Sequence, residues 1–129
     1  MWRPDDEFLE FWTERHLCTL TTRRADGTPH VVPVGATFDP DALLVRVITS
    51  RSSRKVRNAI ADPVVALCQV DGRRWSTVEG LAVVREDRAA VAEAERRYAL
   101  RYRRPRENAE RVVVEIAVRR VMGTVSGSR

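Results

Sequence analysis

Two Asp-Gly pairs, Asp26-Gly27 and Asp71-Gly72, place the tightest constraint on what this chain can become. Runs of Thr, Val and Leu flank each one. HLCTLTTR and PHVVPVGAT surround the first pair, and VVALCQV and RWSTVEGLAVVR surround the second. A two-residue hairpin turn holds its central residues at positive φ, which Asp-Gly tolerates, so each pair predicts a β-hairpin. The β-branched flanks suit a pleated, half-buried surface. Further runs at Leu43–Ile48 and Arg111–Met122 bring the expectation to six strands in hairpin order. Pro33 and Gly35 inside the return strand, 29–37, predict an edge, a bulge or backbone that something approaches closely. Three helical stretches interrupt the strands. The first lies within residues 1–15, capped by Asp5 or Asp6. A second ends before Pro63, because the residue preceding a proline avoids helical geometry. A third opens at Glu86-Asp87 and sets Ala90, Val91, Ala94, Tyr98 and Tyr102 on one face. Residues 124–129, with VSGSR at their end, read as a frayed tail. The sum is one mainly β domain over 1–129: a six-stranded antiparallel barrel with flanking helices.

The formal charge of +5 and pI near 10.2 favour anionic partners. That charge is spread along the chain, and no aromatic-studded basic strand pair of the single-strand-binding kind is present, which argues against nucleic acid. No apolar run approaches the ~20 residues of a membrane helix, and the acidic start MWRPDDEFLEF is unlike a signal peptide. A cytoplasmic protein without a membrane partner is expected. Cys18 and Cys68 lie far apart without metal-ligand spacing and are expected as two buried free thiols. His16 and His30 have no metal or nucleophile partner in the sequence and are read as structural.

The stretch with the most chemistry is LLVRVITSRSSRKVRNAIA, Leu43 to Ala61. A strand, a hydroxyl-rich basic turn and a helix start follow one another. Unpaired N–H groups and the positive end of the dipole make a helix start a seat for an anion. Ser52 or Ser53 would serve equally as a plain N-cap. Among 23 basic side chains Lys55 is the only lysine. A compact ammonium with rotatable donors stands there in place of a planar fork.

The stretches ERHLCTLTTRRADGTPHVVPVG, TFDP, RVITSRSSRKVRNA, QVDGRRW with the following EG, and RYALRYRRPREN to RVVVE resemble the pyridoxamine phosphate oxidase-like split β-barrel superfamily. Within it the chain is most similar to deazaflavin-dependent reductases that use coenzyme F420, F420-dependent biliverdin reductases especially. The resemblance implies an FMN-binding-type split barrel and a homodimer with the cofactor at its interface. The implied reaction is hydride transfer from reduced deazaflavin to a conjugated acceptor such as the tetrapyrrole biliverdin, giving bilirubin. It also implies roles. Pro33 and Val34 would lie along the deazaflavin ring. Ile48, Thr49 and Ser50 would line the ribityl chain and phosphate, and Arg54, Lys55 and Asn58 would hold the phosphate. Gln69 and Trp75 would reach the cofactor or the substrate pocket, with the second subunit as a source of Trp75. Surplus arginines such as Arg51, Arg57, Arg73 and Arg74 would meet the cofactor's acidic tail. No catalytic acid or metal is implied. An FMN-dependent oxidoreductase and a non-catalytic cofactor-binding protein are the alternatives.

Overall fold

A computed structural model describes residues 1–129. The elements run α1 (Asp6–Thr13), β1 (Cys18–Arg23), β2 (Pro29–Val34), β3 (Ala36–Asp39), β4 (Leu44–Ser50), α2 (Arg54–Ala61), β5 (Val64–Asp71), β6 (Arg74–Arg85), α3 (Arg88–Arg101) and β7 (Arg111–Met122). There are seven strands, not the six expected, because Gly35 divides the predicted return strand into β2 and β3. All neighbouring strands pair antiparallel, in the order β2-β1-β5-β6-β7-β4-β3.

That order dictates the shape. The two edge strands, β2 and β3, are consecutive in the chain and joined by a single residue. In a flat sheet of seven strands spaced ~4.8 Å apart, the edges would be roughly 29 Å from one another. One residue spans at most ~3.6 Å. The sheet must therefore curl until its edges meet at Gly35, giving a half-open barrel closed by the chain itself. Gly35 suits the seam because a Cβ there would sit 2.7 Å from the ring edge of Tyr98 and 3.1 Å from that of Tyr102.

Inward-facing residues of alternate strand positions fill the barrel: Leu20, Val45, Val47, Leu67, Val78, Val112, Val114 and Ile116 are all buried. The short helix α1 plugs one end. Asp5 caps it by accepting the Phe8 N–H at 3.0 Å, and Phe8, Phe11 and Trp12 turn inward. Phe8 meets Phe38 edge to face at 5.0 Å between centroids. Each such side chain contributes about 1.5–3 kcal/mol by leaving water. Asp87 caps α3 through the Ala90 N–H.

The expected frayed tail is instead anchored. Val125 is buried, Trp2 donates its indole N–H to the Ser126 carbonyl at 2.6 Å, and Arg3 and Ser128 exchange backbone bonds of 2.9 and 3.0 Å. These partners are over 120 residues apart in sequence, beyond the reach of local composition. Cys18 is buried as expected, whereas Cys68 is half-buried; both are free thiols. No helix is long and apolar enough to cross a membrane.

Candidate cofactor site

The seam that closes the barrel also leaves it incomplete. β3 pairs with β4 only from Leu44 to Val47, yet β4 runs on to Ser50 alongside β7. Ile48–Ser50 therefore have no strand on the β3 side. Pro33, Val34 and Gly35 stand across the gap, and the opening is a cavity of about 380 Å³. Tyr98 of α3 and the segment Arg103–Arg106, with Asn108 and Arg111, complete its wall; no Asp or Glu belongs to it.

α2 presents its start to this cavity. Its N-cap, Ser53, makes no side-chain cap bond; its hydroxyl instead meets Thr49 Oγ1 at 3.3 Å. The first helical bond is from the Arg57 N–H to the Ser53 carbonyl at 3.3 Å, so the preceding N–H groups of the helix have no acceptor within it. Lys55 lines the cavity half-buried and forms no ion pair. Burial alone holds its pKa below the usual lysine range. His30 lies near enough to feel it. Burial first, then the charges of Arg24, Lys55 and Arg54, hold the imidazole below its ordinary pKa, and its Nδ1 is buried without a partner. On the opposite wall Asn108 donates its amide N–H to Ser50 Oγ at 2.9 Å, fixing the loop against β4.

Six residues singled out in the sequence meet at this cavity: Pro33, Val34, Ile48, Thr49, Ser50 and Lys55. Four do not. Arg54 opens α2 but stands exposed outside the wall. Asn58 is buried and donates to Thr22 Oγ1 at 3.0 Å, pinning α2 to β1. Gln69 shares the inward parity of Val65 and Leu67 and lies in the core. It accepts from Arg101 Nη2 at 2.7 Å and donates to the Phe11 carbonyl at 3.2 Å. Trp75 sits at the start of β6, the barrel end away from Arg111, with its backbone N–H donating to Thr124 Oγ1 at 3.0 Å.

The surplus arginines also sort differently. Arg51 is paired with Glu86 and Glu110, and Arg74 with Glu14 and Asp71; neither Arg57 nor Arg73 reaches the cavity. The arginines that do are Arg103, Arg104 and Arg106, which form no ion pair, and Arg111, held by Glu95 at 2.8 Å. The signal for them was the basic loop RYRRPREN. What brings it to the site is the pairing of Ser50 with Arg111, which joins segments far apart in sequence. The carboxylates of Glu14 and Asp71 lie beside His16, but the Arg74 guanidinium bonds both of them, so the cation in that group is Arg74.

The cavity thus offers unpartnered N–H groups, hydroxyls, one ammonium and several guanidinium groups, facing an apolar strip of Pro33, Val34 and Ile48. Such a lining fits a flat ring that carries a phosphate and further negative charge.

The sequence profile of the pyridoxamine 5'-phosphate oxidase family matches residues 4–124. An F420H(2)-dependent biliverdin reductase of Mycobacterium tuberculosis is 52% identical over 122 residues, covering 95% of this chain and 89% of that protein. Among solved structures, an F420 reductase is 25% identical with a TM-score of 0.72, covering 92% of this chain and 98% of its own. A conserved hypothetical protein of M. tuberculosis is 26% identical with a TM-score of 0.78, covering 93% and 84%. Across nearly its whole length, then, this chain belongs to the pyridoxamine 5'-phosphate oxidase family.

Proposed function

We propose that the protein is an F420-dependent reductase that delivers a hydride from reduced deazaflavin to a conjugated acceptor, biliverdin being the acceptor of choice. One observation carries the reading: an unpaired, half-buried ammonium, Lys55, at the uncapped start of α2 inside an otherwise cationic cavity. A charge in that setting is unfavourable until an anion joins it. The relative whose name includes F420H(2) and biliverdin shares half its residues with this chain, which supports the choice of cofactor and acceptor.

In this reading Lys55 and the free N–H groups of α2 hold the phosphate, with the Thr49 and Ser53 hydroxyls beside them. Pro33 and Val34 form the apolar shelf for the ring, and the missing side chain of Gly35 lets Tyr98 stand close behind it. Arg103, Arg104 and Arg106 meet the acidic tail. A reduced deazaflavin, when bound, supplies the hydride; the central methine carbon of biliverdin accepts it, and a ring nitrogen takes a proton from solvent. The protein's part is to orient the ring and exclude side reactions. A homodimer would close the open side of the cavity, with Trp75 of a second copy as one candidate contact.

FMN is the second reading, since its ribityl phosphate would suit the same Lys55 region. The unpaired arginine loop favours F420, because a single phosphate leaves Arg103–Arg106 without a role. Two measurements decide. Fluorescence titration should show F420 binding tighter than FMN, and Lys55→Ala should raise the F420 dissociation constant by ~10- to 100-fold. Anaerobic mixing of reduced F420 with biliverdin and enzyme should oxidise the cofactor. F420 binding no better than FMN removes the cofactor assignment; binding without turnover removes biliverdin alone.

A further inference from the structure

A second cavity, of about 170 Å³, lies between α1, β3 and α3, and nothing in the reaction above uses it. Its wall includes Trp12, Thr37, Phe38, Arg97, Leu100 and Arg101. Two polar atoms of that wall are buried without any partner, Trp12 Nε1 and Thr37 Oγ1, on side chains of residues only 3% and 6% exposed. A buried donor left unpaired loses its hydrogen bonds to water with nothing in return. Arg101 adds a stronger demand. It is 7% exposed, and its three hydrogen bonds all end on neutral oxygens: the carbonyls of Glu14 at 2.8 Å and Ala36 at 2.5 Å, and Gln69 Oε1 at 2.7 Å. It forms no ion pair, and a guanidinium's five N–H groups leave two to spare.

Arg97 on the same wall differs, because Glu93 at 2.6 Å and Asp39 at 3.1 Å already neutralise it. The cavity therefore presents one guanidinium without a carboxylate, lying over the Trp12 and Tyr102 rings at 5.2 Å from each centroid, together with an indole N–H and a hydroxyl. That set matches a monoanion with two acceptor oxygens. A phosphate dianion would leave one charge unmatched. Phe38 and Leu100 supply apolar surface that a bare inorganic ion cannot use.

We propose that this cavity binds a small organic carboxylate, its oxygens held by Arg101, Trp12 and Thr37 and its hydrocarbon body against Phe38 and Leu100. Benzoate is the probe. In the ¹⁵N-labelled full chain three indole N–H signals are available, one per tryptophan, and Trp12→Phe identifies the one that matters. Benzoate should move the Trp12 signal saturably, with a dissociation constant in the millimolar range or tighter. Benzamide, its uncharged counterpart, should bind ~10-fold more weakly or worse, as should inorganic phosphate. Thr37→Val should weaken benzoate ~10-fold, the loss of one hydrogen bond to a charged acceptor, while Lys55→Ala leaves it unchanged. An unmoved Trp12 signal overturns the proposal. So does an equal response to benzamide or to phosphate, or wild-type benzoate affinity in a Thr37→Val protein that keeps a dispersed spectrum. Should Thr37→Val not fold, calorimetric titration of Trp12→Phe with benzoate takes its place under the same criterion.

Discussion

Replacing Lys55 by Met should push stability and binding in opposite directions. Met keeps an unbranched side chain one atom shorter and removes the charge. Burial holds the folded-state pKa of Lys55 below the value it has in the unfolded chain. Between those two values the unfolded state carries more protons, so this residue's contribution to stability improves as pH rises through that window. Below both values the full unfavourable effect of burying the ammonium is present, and Lys55→Met relieves it. The cofactor-free variant should therefore melt higher than the wild-type protein. Binding moves the other way. One charge-assisted hydrogen bond is worth about 1.5–3 kcal/mol, so the F420 dissociation constant should rise ~10- to 100-fold. Differential scanning fluorimetry reads both effects in one experiment. At ~100 times the wild-type dissociation constant, ligand stabilises by about 2.7 kcal/mol. A ~30-fold weaker variant retains about 0.9 kcal/mol at the same concentration. With roughly 4 °C per kcal/mol for a domain of this size, the ligand-induced shift should fall from about 11 °C to between 3 and 4 °C. A cofactor-free variant that melts lower, or an undiminished ligand shift, would refute the placement of Lys55 as an unpaired anion-binding charge.

Four further outcomes are expected. Gly35→Ala places a methyl 2.7 Å from the Tyr98 ring and should lower stability by ~1–3 kcal/mol, by denaturant titration, and weaken F420 together with it. Truncation after Gly123 exposes the pocket of Val125 and should lower stability by at least ~1.5–3 kcal/mol, against no change for a frayed end. Because the pKa of His30 is depressed, the unfolded chain takes up a proton first as pH falls below the ordinary histidine value. Stability should decline there, and a pH series of melts should show a shallower slope for His30→Gln. Burial pushes the Cys18 thiol up to about 11, so a thiol-disulfide reagent near pH 8 should label no more than Cys68 in the native protein and both thiols in denaturant.

The strands were readable because period-two patterning and Asp-Gly turns act over a few residues. β7 over Arg111–Met122 needed nothing further, and the second hairpin was placed to within one residue: Asp71 still pairs with Arg74, so the turn is Gly72-Arg73, with Gly72 alone at positive φ. Two expectations failed for a shared reason. Gly35 was visible as a place of close approach, but that it lies where the two sheet edges meet depends on the global strand order. The tail was misread because its partners, Trp2, Arg3 and Ser76, come from elsewhere in the fold. At the site, the residues of the β4–α2 turn were legible from hydroxyls and charge. Gln69 was placed at the cofactor or substrate by resemblance alone, whereas the strand parity it shares with Leu67 sends it into the core to satisfy Arg101. The arginines at Arg103–Arg106 were legible as a basic loop, yet which cavity they face follows from a pairing more than fifty residues away in sequence.

A chain with one lysine has one ε-amine, and here it faces the cavity. Reductive methylation with ¹³C-formaldehyde would place a pair of reporter methyls there, the one lysine ε-amine among these residues. Occupancy, protonation and ring orientation could then be followed in solution from a single resonance, without mutating the protein or assigning its backbone.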